Sequence, residues 1–394
     1  MLFNKFISAL LTISMLTSCG VSKIDDTKGS LANPLLQSKN HQDVSKSSVN
    51  MPQQKLETEA LNDGPFVFKN TDDLSALWLC NGEEISLRVD KLARPFSLPY
   101  CDKTLTLDRI DFSEQSILEY QGDFAVAASS DFHGQYELML TLLKNNNIID
   151  QQGDWSFGDG HFVITGDVFD RGDKVTEILW FLYRLEQQAE QADGKLHLLL
   201  GNHEVMVLNG DLRYIHPKYV EVSKRLKVSY DQLYGQGTVL GDWLRTKPVL
   251  VKVNNMVFAH GGFHPSLAKE KRSLKAINQV FKQNLVKAEI SIPREGWGDY
   301  LHKSNGPIWY RGYFKDAITD NGASSEEIDL LLKHFDIEHL VVGHTSQKQV
   351  KTRYQGRVIA IDSSIKNAEY GEVLLIQGKE KWRGTLSGNR ITLK

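Results

Sequence analysis

The sequence predicts an α/β fold with a parallel or mixed sheet, and two features of the chain support this prediction. From about residue 122 onward, short apolar runs alternate with loops that contain Gly and Asp and with segments of helical periodicity. Each of five polar motifs directly follows one of the apolar runs, where ligands bind in such sheets. The 394 residues suffice for a sizeable core, and the net charge of -3 argues against a nucleic-acid binder.

The first 18 residues have the layout of a secretory signal peptide. Lys5 precedes an apolar run of about 11 residues, which is too short to span a membrane, and small residues follow. The segment Leu16–Cys19 resembles the lipobox of bacterial lipoproteins, which implies cleavage before Cys19 and acylation of that cysteine. We therefore expect an exported, periplasmic protein whose only membrane contact is a lipid at Cys19. Gly20 favours the outer membrane, by the habit of such lipoproteins.

Two segments separate the signal peptide from the α/β domain, which we place at residues 122–394. Residues 19–64 are rich in Ser, Lys, Asn, Gln and Asp, which is typical of a flexible polar tether. Residues 65–121 carry short alternating runs such as ISLRVD and TLTLDRI, which predict a small β-rich segment. If Cys19 is lipidated, Cys80 and Cys101 remain in an oxidising compartment, where a disulfide is favoured over two buried thiols.

Five predicted strands and the polar loops after them form the core of the α/β domain. In chain order they are FAVAAS before Asp131–Gly134, HFVIT before Gly166–Asp173, LHLLL before Gly201–Glu204, VLVKVNNMVFA before His260–Gly262, and EHLVV before Gly343–Thr345. Helices are predicted over 136–144, 173–190 and 266–289, the last with one buried apolar stripe. An Asp before a helix is commonly its N-cap, and we predict that role for Asp173.

Six side chains in the loops after the strands form a set of metal ligands. They are Asp131, His133, Asp167, Asn202, His260 and His344. Carboxylate, imidazole and amide oxygen without thiolate suit Mn, Fe or Zn better than Cu or an iron–sulfur cluster. Asp131 and His133 are two residues apart, which places both on one side of an extended segment. Six ligands exceed what one ion with room for a substrate needs, so two ions that share a carboxylate are the simpler interpretation.

The motifs DxH, GDxxDRG, GNHE, HGG and GHT, in this order, resemble those of the metallophosphoesterases. The similarity is to the phosphoprotein phosphatase branch, and within it most of all to the Shewanella-like protein phosphatases. It covers residues from about 122 to about 377 and includes the stretch GPIWYRGY. The resemblance implies a calcineurin-like metallophosphoesterase fold, with central mixed β-sheets flanked by helices, for the catalytic domain over residues 122–394.

The resemblance also implies how the two divalent ions are held. By position, the first ion would be bound by Asp131, His133 and Asp167. The second would be bound by Asp167, as the bridging ligand, with Asn202, His260 and His344. The ions would activate a hydroxide for in-line attack on phosphorus.

Four further positions match catalytic or phosphate-binding residues of the family. His203 would be the general acid that protonates the leaving oxygen, and Asp170 would orient and charge it. Arg171 would bind the phosphate together with Arg311, in the stretch GPIWYRGY, and with Asn202, which is also a metal ligand. Arg311 lies in a shorter motif, so a structural ion pair is its alternative role.

Three features depart from the family pattern, and a further residue, Glu204, is given no catalytic role. Ser130 stands where eukaryotic relatives usually have Gly, and Leu200 where they have Arg. The C-terminal SAPNY-type loop is absent, so the regulatory subunits and toxin sensitivity of the signalling phosphatases are not carried over. Glu204 is interpreted as a helix-starting acid rather than a catalytic group.

We therefore predict a dinuclear-metal-dependent phosphomonoesterase, similar to protein phosphatases, that acts on phosphorylated peptides or small phosphate esters. One alternative is a nucleotide or dinucleoside-polyphosphate hydrolase of the same superfamily, although DRG together with GNHE favours the phosphatase branch. Another is a lipid-tethered metal-binding protein without catalysis. His203, Asp170 and Arg171 argue against the second alternative, since metal capture needs none of them.

Overall fold

The computed structural model describes residues 61–90, 95–113 and 116–394. The predicted signal peptide, Cys19 and nearly all of the predicted tether lie outside the described residues. None of the helices in the described ranges has the length and apolar character needed to cross a membrane.

The described residues form strands and helices with the following bounds. The strands are β1 (Asp63–Lys69), β2 (Asp73–Cys80), β3 (Glu83–Asp90), β4 (Phe96–Tyr100), β5 (Lys103–Leu107), β6 (Glu119–Tyr120), β7 (Val126–Ser129), β8 (His161–Ile164), β9 (Lys195–Leu198), β10 (Leu250–Val253), β11 (Met256–Ala259), β12 (His339–Val342), β13 (Lys351–Arg353), β14 (Val358–Ala360), β15 (Glu372–Gln377), β16 (Glu380–Thr385) and β17 (Arg390–Thr392). The α-helices are α1 (Tyr136–Asn145), α2 (Val175–Gln191), α3 (Asn202–Leu208), α4 (Pro217–Leu226), α5 (Val239–Arg245), α6 (Ser266–Lys269), α7 (Leu274–Gln283), α8 (Gly296–Tyr300) and α9 (Ser325–Phe335).

The small β-rich segment that the sequence predicts is present. Strands β1, β2 and β3 form an antiparallel sheet, and β4 and β5 form a hairpin. The predicted disulfide joins Cys80, at the end of β2, to Cys101, between β4 and β5. Trp180 on α2 donates a hydrogen bond from Nε1 to the carbonyl oxygen of Pro65 on β1 (3.0 Å), so the segment packs directly on the larger domain.

A buried ion cluster also connects this segment to the domain. Asp63, the first residue of β1, is fully buried. Nζ of Lys218 lies 3.4 Å from Oδ1 of Asp63 and 3.6 Å from Oε1 of Glu177. Burial raises the pKa of Glu177 to about 7, and Asp63 adds to the rise while Lys218 opposes it. The cluster therefore holds two carboxylates against one ammonium group.

Two six-stranded mixed sheets form the centre of the domain. One has the order β17-β16-β15-β7-β8-β9, with β7, β8 and β9 parallel. The other has the order β13-β14-β12-β11-β10-β6, with β11, β12 and β14 parallel. A single apolar cluster takes residues from both sheets, which therefore pack face to face; it includes Val126, Val163, Leu199, Val251, Phe258, Val341, Ile359 and Leu374.

Helices flank these sheets and complete the predicted α/β architecture. The longest, α2, buries ten of its residues against the larger apolar core. The arrangement, with mixed sheets flanked by helices and a small β-rich segment before them, is the fold that the sequence predicts. The parallel strands β7, β8 and β9 of one sheet and β12 of the other are four of the five predicted strands that precede polar loops. The prediction of one strand for VLVKVNNMVFA is wrong, because the chain turns at Asn254 and forms the antiparallel pair β10 and β11, of which β11 leads to His260.

The prediction that Asp173 caps a helix is wrong. Helix α2 begins at Val175, its N-cap position is Lys174, and no side chain caps it. Asp173 lies one residue too early for its carboxylate to act as the cap, and its main-chain oxygen instead accepts a hydrogen bond from Nζ of Lys218 (2.7 Å).

The prediction of a single helix over 266–289 is also wrong, because the segment contains two separate helices, α6 and α7. Lys271, between them, has a φ of 52°, which is incompatible with a continuous right-handed helix. Ser273 then caps α7 by accepting a hydrogen bond from the amide of Ala276 (3.2 Å). The apolar stripe is nevertheless buried as predicted: Leu267, Leu274, Ile277, Phe281 and Leu285.

Candidate active site

The loops after the five parallel strands converge at one edge of the two sheets and bring the six predicted metal ligands together. Each ligand is at most 4 % exposed: Asp131, His133, Asp167, Asn202, His260 and His344. Asp131, Asp167 and Asn202 follow strands of one sheet, while His260 and His344 follow strands of the other. The site therefore lies where the two sheets meet.

The backbone of these loops is unusually strained. Six non-glycine residues of the site have a left-handed conformation, with φ between 45° and 71°: Asp131, His133, Asp167, Asp170, Arg171 and His344. Each such residue costs of order 1 kcal/mol, and such costs concentrate at functional sites because the surrounding fold imposes them. Close packing contributes to this constraint, since a Cβ atom on Gly201 would lie 2.2 Å from Oδ1 of Asp167.

His133 directs a nitrogen lone pair toward two carboxylates. Its Nδ1 lies 2.7 Å from the carbonyl oxygen of Phe169, which can only accept, so Nδ1 carries the hydrogen. Burial lowers the pKa of His133 to about 3, so the ring is neutral and Nε2 has a lone pair. Nε2 lies 3.7 Å from Oδ1 of Asp131 and 3.6 Å from Oδ2 of Asp167. Three electron-rich atoms thus face one another, an arrangement that a cation stabilises.

His260 has the same orientation on the other side of Asp167. Its Nδ1 lies 3.0 Å from the carbonyl oxygen of Thr165, so Nε2 points inward. Nε2 lies 2.9 Å from Oδ1 of Asn202, 3.2 Å from Oδ2 of Asp167 and 3.1 Å from Nδ1 of His344. Burial alone would lower the pKa of His260, but the Asp167 carboxylate outweighs burial and raises it to about 9. The surroundings of this nitrogen therefore favour positive charge.

Asp167 belongs to both groups of possible ligands. Among the described residues, ligand atoms of His133, Asp167 and His203 lie within 4.8 Å of one another, and so do those of Asp167, His260 and His344. Asp131 is absent from the first group by this distance, although its Oδ1 faces His133. The geometry gives Asp167 the shared position that was predicted for the bridging ligand.

The charge in this site also fits divalent cations. Asp131 and Asp167 are both buried beside a third buried carboxylate, Asp362. Burial and then Asp362 raise the pKa of Asp131 to about 8. Several buried carboxylates are costly unless a cation compensates them. Oxygen and imidazole donors without thiolate suit Mn, Fe or Zn, so the residues present fit a divalent metal centre.

His203 belongs to the first of these ligand groups and also pairs with Asp170. Its Nδ1 is 2.5 Å from Oδ2 of Asp170, and its Nε2 is 3.8 Å from Oδ2 of Asp167. Burial alone would lower the pKa of His203, but Asp167 and Asp170 outweigh it and the pKa is raised. An imidazole held in this way at one nitrogen can carry a proton at the other.

The two predicted phosphate-binding arginines are both exposed at this site. Nη1 of Arg311 donates hydrogen bonds to the carbonyl oxygen of His344 (2.9 Å) and to Oγ1 of Thr345 (3.1 Å). The guanidinium group of Arg171 lies 5.4 Å from the ring centroid of Tyr214. Across the described residues, neither arginine forms an ion pair with a carboxylate, so nothing supports the structural alternative for Arg311.

Two residues near the centre have roles that sequence reasoning missed. Glu204 is fully buried and its carboxylate accepts hydrogen bonds from the amides of Gly201 (2.7 Å), Asp167 (2.8 Å) and Val168 (2.7 Å). It does start α3, as expected, but it also fixes the loop of the shared ligand. The one sequence signal for this role is that Glu204 lies two residues after the predicted ligand Asn202.

Tyr214 was also missed. Its ring centroid lies 5.5 Å from that of His203, and the guanidinium group of Arg213 lies 5.5 Å from it on the solvent side of the site. The side chain is 44 % exposed. Only the folded loop after α3 brings this tyrosine beside the histidine, so no local pattern identifies it.

The hydrogen bonds of Ser130 explain why a serine replaces the usual glycine at this position. Its Oγ donates to Oδ2 of Asp131 (2.5 Å) and accepts a hydrogen bond from Oγ1 of Thr165 (2.6 Å). Asp131 is thereby left with Oδ1 directed at the metal site, because its Oδ2 also accepts from the amide of His344 (3.0 Å).

Comparison with known proteins places these features in context. Residues 124–348 match the calcineurin-like phosphoesterase family, which is more than half of the chain. The chain is 28% identical over 255 residues to Shewanella-like protein phosphatase 1 of Plasmodium berghei, which covers 63% of this chain and 69% of that protein. It is 30% identical over 138 residues to a symmetrical bis(5'-nucleosyl)-tetraphosphatase of Neisseria meningitidis, which covers 35% of this chain and 43% of that protein.

The solved structure of a cold-active protein-tyrosine phosphatase from a psychrophilic Shewanella species is similar over most of the chain. The identity is 40% and the TM-score is 0.77. The match covers 84% of this chain and 99% of the other.

Proposed function

Because the chain belongs to the calcineurin-like phosphoesterase family and is a phosphoester hydrolase, we propose that it is a two-metal phosphomonoesterase that acts on phosphorylated peptides. The observation that carries this proposal is the His203–Asp170 pair next to Asp167, the residue that two groups of possible metal ligands share. A proton donor next to a cation site is what cleavage of a phosphate ester needs.

In this proposal the six buried ligands hold two divalent ions. Asp131, His133 and Asp167 hold the first, and the second is held by Asp167, Asn202, His260 and His344. When bound, the ions polarise the phosphoryl oxygens and lower the pKa of a bound water molecule. Mn, Fe and Zn all suit these donors.

The chain's own residues then bind the substrate and move one proton. Arg171 and Arg311 bind the phosphoryl oxygens, assisted by Asn202, because a planar guanidinium group donates two parallel hydrogen bonds. His203 protonates the leaving oxygen from Nε2, since its Nδ1 is engaged by Asp170. Asp170 keeps the ring in the orientation in which Nε2 faces the reacting centre.

The substrate class is an aryl phosphate, and phosphotyrosine in particular. Tyr214 supports this choice, because its exposed ring lies beside the group that protonates the leaving oxygen. An aromatic leaving group on that oxygen lies within reach of this ring, and aromatic pairs stabilise each other by about 1 kcal/mol. The similar Shewanella structure is of a protein-tyrosine phosphatase, which agrees with this assignment.

The protein acts in the periplasm, anchored to the outer membrane by a lipid at Cys19. That residue lies outside the described residues, so the support comes from the lipobox-like segment and from the Cys80–Cys101 disulfide. Disulfides persist in oxidising compartments such as the periplasm. Globomycin treatment of cells tests this, since a lipoprotein precursor then accumulates, whereas an unchanged mature protein would contradict the anchor.

The second candidate function is hydrolysis of dinucleoside polyphosphates, and the similarity to symmetrical tetraphosphatases favours it. A substrate panel on metal-analysed protein separates the two. We expect a phosphotyrosine peptide and an aryl phosphate to be cleaved with higher kcat/KM than a phosphoserine peptide or diadenosine tetraphosphate. A large preference for the tetraphosphate would overturn the proposed function, and absence of turnover on all four would favour a metal-binding protein without catalysis.

A further inference from the structure

A buried carboxylate close to the metal ligands has no part in the proposed function. Asp362 is fully buried and lies two residues beyond the end of β14. Its Oδ2 accepts a hydrogen bond from Oγ of Ser346 (2.7 Å), and its main-chain oxygen accepts one from the amide of Gln347 (2.8 Å). Ser364, on the same turn, donates from Oγ to the carbonyl oxygen of Gln347 (2.8 Å). Three hydrogen bonds thus hold the chain directly after Thr345.

The segment held in this way, residues 344–347, carries the three hydrogen-bond partners of Arg311. They are the carbonyl oxygen of His344, Oγ1 of Thr345 and, at 3.5 Å, Nδ1 of His344. Because Arg311 is exposed, these acceptors rather than close packing set the direction of its guanidinium group. The other end of the segment is fixed as well, since the amide of His344 donates to Asp131 (3.0 Å).

We propose that Asp362 is a positioning residue for phosphate binding, which fixes residues 344–347 so that Arg311 stays directed at the metal centre. The inference rests on the proposed function, because it assigns Arg311 to the substrate's phosphoryl group. The position of His344 is secured independently by Asp131. Loss of the Asp362 carboxylate should therefore weaken phosphate binding more than it weakens metal binding.

The test compares Asp362→Asn with the unaltered protein. The substitution keeps the oxygen that accepts from the amide of Ser364 (2.9 Å) but places an amide group against Oγ of Ser346. We expect KM for an aryl phosphate and the inhibition constant of inorganic phosphate to rise about tenfold, the size expected from a lost hydrogen bond to a charged group. The value of kcat should change far less, and the metal content should stay the same.

Two further variants separate positioning from general damage to the fold. Ser346→Ala removes the hydroxyl group that donates to Asp362, together with its hydrogen bond from Nζ of Lys366 (2.6 Å), and should reproduce the rise, so the test does not depend on the folding of Asp362→Asn. Ser363→Ala is the matched control: Ser363 is a buried neighbour on the same turn, and its Oγ accepts from the amide of Glu372 (2.9 Å) without contacting residues 344–347. It should lower stability by a similar amount and leave the inhibition constant unchanged.

A double-mutant cycle with Arg311→Ala gives the decisive measurement. If Asp362 acts through Arg311, adding Asp362→Asn to Arg311→Ala causes no further loss of phosphate affinity, measured by calorimetry on metal-loaded protein. Additive losses, an unchanged phosphate affinity in both Asp362→Asn and Ser346→Ala, or loss of metal would each overturn the inference. An unaltered protein that cleaves no phosphomonoester would instead overturn the proposed function, and the calorimetric cycle would still decide the role of Asp362.

Discussion

Oδ2 of Asp170 lies 2.5 Å from Nδ1 of His203, while the other oxygen of this buried carboxylate has no hydrogen-bond partner in the described residues. This hydrogen bond determines which nitrogen of the imidazole can face the substrate. A ring anchored at Nδ1 has only Nε2 free to face the substrate, and the carboxylate stabilises the ring in its protonated form.

We expect His203→Asn to keep its metal content and to lose kcat by about 10²–10⁴-fold, the usual contribution of general acid catalysis. The loss should be largest for phosphoserine, whose leaving group needs a proton, and smallest for nitrophenyl phosphate. Metal analysis and steady-state kinetics on both substrates test this. The same kcat loss for both substrates would contradict the acid role, and Asp170→Asn should show a weaker form of the same substrate dependence.

Asp167→Asn should abolish activity and reduce the metal content of both ligand groups, because Asp167 belongs to each of them. Metal analysis of the purified variant, together with kinetics at saturating metal, measures this. Asp173→Ala is a control in the same loop: its side chain caps no helix, so stability should change by less than about 0.5 kcal/mol with activity kept. A variant Asp167→Asn with full metal content would show that Asp167 is not the shared ligand.

Tyr214→Ala should lower kcat/KM for aryl phosphates about fivefold and change it little for phosphoserine, because only an aromatic leaving group contacts this ring. Tyr214→Phe keeps the ring and should retain the aryl preference. Kinetics on phosphotyrosine and phosphoserine peptides of one sequence provide the comparison. An equal loss on both peptides would mean that Tyr214 acts only by supporting Arg171 or His203.

The contribution of Glu177 to stability should fall as the pH rises from about 4.5 to 7, because burial raises the pKa of this residue from 4.5 to about 7. Below pH 4.5 the carboxyl group is protonated in both the folded and the unfolded state. Above it, the unfolded state loses the proton first, so folding is progressively disfavoured until the folded-state pKa is passed. Denaturant unfolding of metal-loaded Glu177→Gln should therefore show a flatter pH profile than the unaltered protein over this range. Parallel profiles would contradict the assignment.

The sequence alone was enough to predict those site residues that closely follow a buried strand. Asp131, Asp167 and His260 could be identified in this way, because the alternation of apolar runs and loops already places strand ends together. The two wrong predictions about helices concern where a helix begins or ends. The start of the helix after Asp173 and the break at Lys271 are set by tertiary contacts, which decide where the chain enters and leaves the helical conformation.

Tyr214 and Asp362 could not be found in the sequence for a different reason. Each acts on a residue that is distant along the chain or lies in another loop, Tyr214 on His203 and Asp362 on the segment that holds Arg311. Neither belongs to a motif with a glycine or a periodic pattern, so only their contacts identify them.

The candidate metal ligands follow strands of two separate sheets, so in the proposed function the spacing between the sheets affects the catalytic rate. Asp167 follows one sheet and His260 the other, and their side chains meet at 3.2 Å. Apolar residues such as Val341 and Phe258 lie in the cluster between the two sheets that carry the two halves of the candidate site. Displacements near 1 Å can cost about 10²-fold in rate. Substitutions in the interior of the sandwich would accordingly alter the rate of the proposed reaction with every side chain of the candidate site unchanged.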